Sequence, residues 1–341
     1  MNKVLCLVFV LCVISLVGCT SNIDLGEDSS NKIENSNLEL VNTSDLDFEY
    51  IKSSDNNCVY ITKYIGTEDY IIIPEEIENL PVTSLIGYTD EETNTRRGAF
   101  EGTNVKTLVL SKNLQAIGYK CLLNCDELAT VIVPSESRLN TISSHAFENC
   151  ILIEHLDFSS AELELIDDYA FAGCSKVKEV LLSDNLTEIG ERAFYECFAL
   201  SEIILPENIT TIGAMAFGYC TDLKEINIPK NLSLLALEEA VFYENSALTK
   251  IDFEEGHKKI IGYAFFDLKN DVEITIPQSV EEFSAGPFFI NDNVTFIFLG
   301  DCPSIIENTK FTGKPTIYYN SKARGWNDCF WNNVYNLVPI N

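Results

Sequence analysis

The chain has 341 residues, 46% of them hydrophobic, and its 52 Asp and Glu against 23 Lys and Arg leave a net charge of −29. That balance excludes a nucleic-acid binder, because an acidic surface repels phosphate backbones, and it disfavours docking on anionic lipid headgroups. It favours basic or neutral surfaces, or cations, as partners. The length suits about two domains, unless the chain grows by repetition and so needs no central core.

The first 19 residues carry the most specific local signal. Lys3 precedes a charge-free run, Val4 to Val17, and the run leads into Gly18-Cys19. Such a run suits a secretory h-region and falls short of the ~20 apolar residues that span a bilayer. The ending Leu16-Val17-Gly18-Cys19 resembles the lipobox of bacterial lipoproteins. There a peptidase cuts before the cysteine, whose thiol then carries diacylglycerol. The resemblance implies a lipoprotein signal peptide over 1–18 and lipid attachment at Cys19. Residues 19–45 continue as a polar, acidic stretch without aromatics, the composition of a segment that cannot bury enough to fold. It reads as a disordered acidic tether with a root-mean-square span of roughly 25–30 Å. Residues 46–98 follow as an N-terminal cap, interrupted by the polar loop Gly87 to Arg97.

From 99 to 300 one phrase recurs, seen most plainly in IGERAFYECFALSEIILPENIT and IGAMAFGYCTDLKEINIPKNLS. Its aligned position holds Phe100, Leu122, Phe147, Phe171, Phe194, Phe217, Phe242, Phe265 and Phe288, at gaps of 22 to 25 residues. About nine such units predict a repeat solenoid, β-rich with short helical turns, whose stacked rungs bury side chains that no single unit could. Three residues after each Phe stands Cys125, Cys150, Cys174, Cys197 or Cys220, with Thr103, Asn245, Leu268 and Asn291 as substitutes. An apolar residue and a short alternating strand follow, as in Leu223, Ile226 and Ile228, and Pro134, Pro206, Pro229 or Pro277 closes some of these strands. Residues 301–341, with Trp326 and Trp331, form a C-terminal cap.

The pattern L-x-x-I-x-I-P-x-x-[VIL]-x-x-I-G-x-x-A-F-x-x-C resembles the BspA-like (Bacteroides surface protein A-like) leucine-rich repeats over Ala99 to about Gly300. The stretch from Tyr60 and the tail TIYYNSKARGW resemble the opening and closing caps of such arrays. The resemblance implies a leucine-rich-repeat array, exported or surface-attached, of a kind associated with adhesion and host or matrix binding. The departures are the loop at 87–97, Cys121-Leu122 in place of Ala-Phe, and three last units without the cysteine.

Chemistry is sparse. The ladder cysteines read as small buried filler, since paired soft-metal spacing such as C-x-x-C is absent and Asn, Thr and Leu share their register. Whether Cys302 and Cys329 pair is left open. Of three histidines, His145 sits in a variable slot before Ala146-Phe147 and reads as exposed and idle. No H-E-x-x-H, G-x-S-x-G, P-loop or G-x-G-x-x-G motif occurs, so neither an enzyme nor a cofactor or metal is expected. Asn185, Asn208 and Asn231, 23 apart in N-x-[ST] sequons, read as a repeat turn in which Asn tolerates unusual backbone angles.

Side-chain alternation gives the binding expectation. One outward row reads Val109, Ile132, Asp157, Leu181, Ile204, Asn227, Asp252, Thr275, Phe298, and its neighbour Thr107, Thr130, His155, Glu179, Glu202, Glu225, Lys250, Glu273, Phe296. Val109, Ile132, Leu181 and Ile204 are the candidate partner-binding residues, and Glu179, Glu202 and Glu225 form a stack that solvent tolerates or that a cation or basic partner relieves. The expected function is a cell-surface, lipid-anchored repeat protein mediating protein–protein interaction or adhesion. The rivals are a self-associating structural envelope protein and a glycan-binding or hydrolytic surface lipoprotein.

Overall fold

The computed structural model describes residues 45–232, 240–260, 271–283, 294–305, 314–333 and 335–341. Cys19, the signal peptide and the tether up to residue 44 lie outside the described residues, as do Phe265, Leu268, Phe288 and Asn291. The described chain is a β-solenoid of stacked parallel coils. Apart from two 3-10 turns, Asp45–Asp47 and Phe330–Asn333, its regular elements are short strands. Among the described residues no helix is long and apolar enough to cross a membrane.

Each unit crosses the coil through a strand on either side of one core. On one side run Ala116–Ile117, Thr141–Ile142, Leu165–Ile166, Glu188–Ile189 and Thr211–Ile212, all parallel, in a sheet that begins with the antiparallel pair Phe48–Lys52 and Val59–Tyr64. On the other run Tyr70–Ile72, Thr107–Val109 and Thr130–Ile132, then His155–Asp157, Glu179–Leu181 and Glu202–Ile203. A six-stranded sheet from Glu225–Ile228 to Asn336–Ile340 completes that side. Only one residue of each short strand needs to face inward. Ile117, Ile142, Ile166, Ile189 and Ile212 do so from one side, and Leu108, Leu156, Val180, Ile203 and Ile226 from the other.

The repeating Ala-Phe turn explains why the period is so strict. The residue before Ala and the residue two after Phe both take the left-handed conformation: His145 (φ 59°) and Asn149 (φ 62°), Arg192 (φ 53°) and Glu196 (φ 59°), Met215 (φ 53°) and Tyr219 (φ 60°). Such a conformation costs a non-glycine residue about 1–2 kcal/mol. Bonds between rungs hold it. The His145 N–H donates to the Asp168 carbonyl at 2.9 Å, Phe147 to Ala170 at 2.7 Å and Asn149 to Ala172 at 2.8 Å, and the next units repeat the scheme. The aligned rings then stack along the axis. Phe147–Phe171, Phe171–Phe194, Phe194–Phe217 and Phe217–Phe242 have centroids 5.0, 5.3, 5.5 and 5.7 Å apart and lie within 12° of parallel.

Two expectations change here. Asn185, Asn208 and Asn231 are not among the positive-φ residues. Instead the Asn208 amide donates to the Asp184 carbonyl and the Asn231 amide to the Glu207 carbonyl, both at 2.8 Å, so the spacing of 23 reflects a side-chain bridge between rungs. His145 is not idle either. Its Nδ1 lies 2.7 Å from Glu148 Oε2, and its ring stacks on Tyr169 and meets the edge of Tyr119. The Gly87 to Arg97 segment is a β-hairpin, pairing Tyr88–Asp90 with Thr95–Arg97.

Candidate partner-binding face

The apolar row lies on the solvent side of the strands. Ile132, Leu181 and Ile204 are 41%, 43% and 66% exposed, while their chain neighbours Val131, Val180 and Ile203 are buried. Val109 is half-buried. Parallel register sets Val109 beside Ile132, with half-buried Ile72 on its other side, and sets Asp157 beside Leu181. Glu179 and Val180 pair with Glu202 and Ile203, which carries Leu181 toward Ile204. The row has two segments, because strand pairing stops between Thr130–Ile132 and His155–Asp157.

At the far end of both outward rows the strand register differs by one residue from the repeat alignment. Phe296 and Phe298 are buried, and the residues in line with Glu273 and Thr275 are Thr295 and Ile297. The spacing between these strands is 22 residues, from Glu273 to Thr295, and an alignment that assumes 23 inverts the facing.

The acidic row flanks the apolar one. Glu179 pairs in register with Glu202, and Glu225 with Lys250. His155 Nδ1 sits 3.6 Å from Glu179 Oε2 at one end. At the other, the Lys250 ammonium is held above its usual pKa, first by its bond to Asp252 and then by the charges of Glu225 and Glu273. The Lys250 ammonium thus stands at one end of the stack and the His155 imidazole at the other, leaving Glu202 at the centre. Ile151 and Phe198 are 40% and 41% exposed and were missed, each one residue after a ladder cysteine, where the other units carry Asp126, Ser175, Thr221 or Ser246.

Beneath this face the ladder thiols do more than fill space. All five are reduced and fully buried, and each donates to the carbonyl at the Phe position of the preceding unit. The distances are 3.0 Å for Cys125 to Phe100, 3.2 Å for Cys150 to Leu122, 3.2 Å for Cys174 to Phe147, 3.3 Å for Cys197 to Phe171 and 3.2 Å for Cys220 to Phe194. Burial pushes the Cys125 thiol up to about 11 and Cys174 to about 12, with Cys150, Cys197 and Cys220 also raised well above the usual range. The thiolate, which is both metal ligand and nucleophile, is therefore withheld. Among the described residues no three His, Cys, Asp or Glu side chains are grouped to hold a metal ion. A shallow groove lined by Glu162, Glu164, Asn185, Thr187 and Asn208 lies elsewhere on the surface.

The family description "BspA type Leucine rich repeat region (6 copies)" matches residues 93–220 and 187–318. The chain belongs to the BspA-type leucine-rich-repeat family. That is a repeat family, and no catalytic family is indicated. Solved structures similar to this BspA-type chain include a leucine-rich repeat protein from Bacteroides ovatus ATCC 8483, at 19% identity over 86% of this chain and 75% of that one, TM-score 0.48. A T. pallidum leucine rich repeat protein is 19% identical over 65% of this chain and 85% of its own, TM-score 0.43. A leucine rich cell surface protein from Faecalibacterium prausnitzii A2-165 is 20% identical over 86% of this chain and 97% of its own, TM-score 0.38. No curated protein matches the chain.

Proposed function

We propose that this BspA-type protein is a lipid-anchored, surface-exposed binding module that captures a protein partner on the strand face carrying Ile132, Leu181 and Ile204. The observation that supports the reading is the exposure of these large apolar side chains beside a glutamate row on an otherwise acidic coil. Inward residues of the same strands already supply the core, so the exposed ones are surplus to folding. A partner offering apolar side chains bordered by Lys or Arg matches both rows at once. Self-association through this face sets glutamate row against glutamate row at a net charge of −29, which argues against the structural-envelope reading. Anchoring rests on Leu-Val-Gly-Cys19 after the short apolar run, and export follows from the same segment.

Replacing Leu181 and Ile204 together by serine tests the face. The thermal midpoint should stay within a few degrees, while binding to a surface extract that retains the wild-type ectodomain should fall at least tenfold. Unchanged binding by the folded double variant rejects this face, and unfolding shows that the pair belongs to the core.

A further inference from the structure

The closing cap holds two thiols of a different kind from the ladder. Cys302 lies in the segment leaving the strand Thr295–Phe298, and Cys329 precedes the 3-10 turn Phe330–Asn333, so 27 residues separate them in sequence. Several bonds draw the two segments together. The Cys302 N–H donates to the Arg324 carbonyl at 2.9 Å, the Arg324 N–H to Asp301 Oδ1 at 2.7 Å, and the Trp326 indole to the Gly300 carbonyl at 3.1 Å. Gly325, at φ 84°, brings bare backbone so close that a Cβ there would stand 3.3 Å from the Cys302 Cβ. Trp326 is buried beneath them, stacked on Tyr319 with centroids 4.9 Å apart. Both cysteines pack partly buried against the core; the Cys329 thiol donates to the Trp326 carbonyl at 3.4 Å, next to the Gly325 that abuts Cys302, and the Cys302 thiol lies 3.9 Å from the Pro303 carbonyl.

We propose that Cys302 and Cys329 form a disulfide by exchange with an external disulfide donor, and that the bond locks the end of the array. The ladder thiols are fully buried, whereas Cys302 and Cys329 are only partly buried, so the cap pair is the one open to an external donor. In the exchange, one cap thiolate attacks a sulfur of the donor RS–SR, forming a mixed disulfide and expelling RS⁻, which takes up the proton lost by the attacking thiol. The second cap thiol gives up its proton and attacks the protein sulfur of the mixed disulfide. The S–S bond to R breaks, the protein disulfide forms, and a second RSH leaves. Two protein thiols lose two electrons and two protons, and one donor disulfide becomes two thiols. Burial, and then the neighbouring Cys329 thiol, push the Cys302 thiol up from its usual range. An extracytoplasmic location would keep such a bond oxidised, but the pairing itself depends only on the cap geometry.

Incubating the full chain with oxidised glutathione, then alkylating under denaturing conditions and mapping peptides, tests the pair. The expected result is a Cys302–Cys329 linked peptide, loss of two hydrogens in intact mass, and full alkylation of the five ladder thiols. Reduction by dithiothreitol should reverse it. Amide exchange in Thr316–Asn320 and Asn336–Ile340 should be at least tenfold slower in the oxidised form. Two alkylated cap thiols, a stalled glutathione adduct on either, or a link from either to another cysteine would each overturn the proposal. C302S and C329S should each stop at one glutathione adduct on the remaining cap cysteine, and a linked peptide in either variant would likewise overturn it. The wild-type map needs neither variant to fold.

Discussion

Cys197→Ala tests the ladder most directly, because filler and hydrogen-bond donor predict different rankings of substitutions. Cys197 is fully buried, and its thiol donates to the Phe171 carbonyl at 3.3 Å. The same carbonyl also accepts the Cys174 N–H at 3.1 Å, so removing the thiol leaves it with one donor. Alanine then forfeits the transfer energy of the sulfur and opens a void of about its volume, on the order of 1 kcal/mol. Losing a weak bond while the acceptor keeps another adds about 0.5 kcal/mol. Cys197→Ala should therefore cost about 1.5 kcal/mol. Cys197→Ser should cost less, because the hydroxyl is smaller than the thiol but donates better to the carbonyl already in place. Cys197→Val loses the donor and adds about a methyl group of volume against a tightly stacked rung, so it should cost at least as much as alanine. Urea unfolding of the reduced protein gives the ranking through midpoint shifts at constant slope, with amide exchange of the Phe194 and Phe217 rungs as a local check, since long arrays depart from two-state behaviour. If alanine is neutral, or if serine is worse than alanine, the hydrogen-bond account of the ladder is wrong.

Asn245 occupies the same register in its unit, is buried, and has no hydrogen-bond partner among the described residues for either amide atom. Asn245→Cys should raise stability by about 1–2 kcal/mol, read by the same urea titration, because it removes an unsatisfied buried amide. His257 is buried with its Nε2 3.2 Å from the Ile228 carbonyl, and burial holds its pKa below the usual value. The folded state therefore binds a proton less readily than the unfolded chain, so its contribution is present above the unfolded pKa of about 6.5 and is lost as pH falls below it. A His257→Asn variant should show a shallower fall in unfolding free energy between pH 7 and pH 5 than the wild type, and equal slopes would refute that assignment. Cys19→Ala should abolish N-terminal acylation and release the protein from the membrane fraction, and mass spectrometry of the mature N-terminus reads the result.

The coil was legible in the sequence because its physics is local and repeated. A period near 23 with Ala-Phe at one corner leaves few ways to bury the same side chains unit after unit, and alternation about Val180 or Ile203 sets the facing of each strand. The outward placement of Ile132, Leu181 and Ile204 followed from that alternation alone. Tertiary structure decided what depends on the neighbouring rung. A thiol that looks like filler in one unit becomes a donor only when the preceding unit's carbonyl arrives above it. The Asn208 and Asn231 spacing implied a turn conformation, whereas stacking turns the amides into bridges to Asp184 and Glu207. A 22-residue step turned Phe296 and Phe298 inward, because a strand pairs with what lies beside it and not with what aligns in sequence. The cap thiols met for the same reason: 27 residues apart in the chain, Cys302 and Cys329 become neighbours only when Trp326 is buried and its indole is bonded to Gly300.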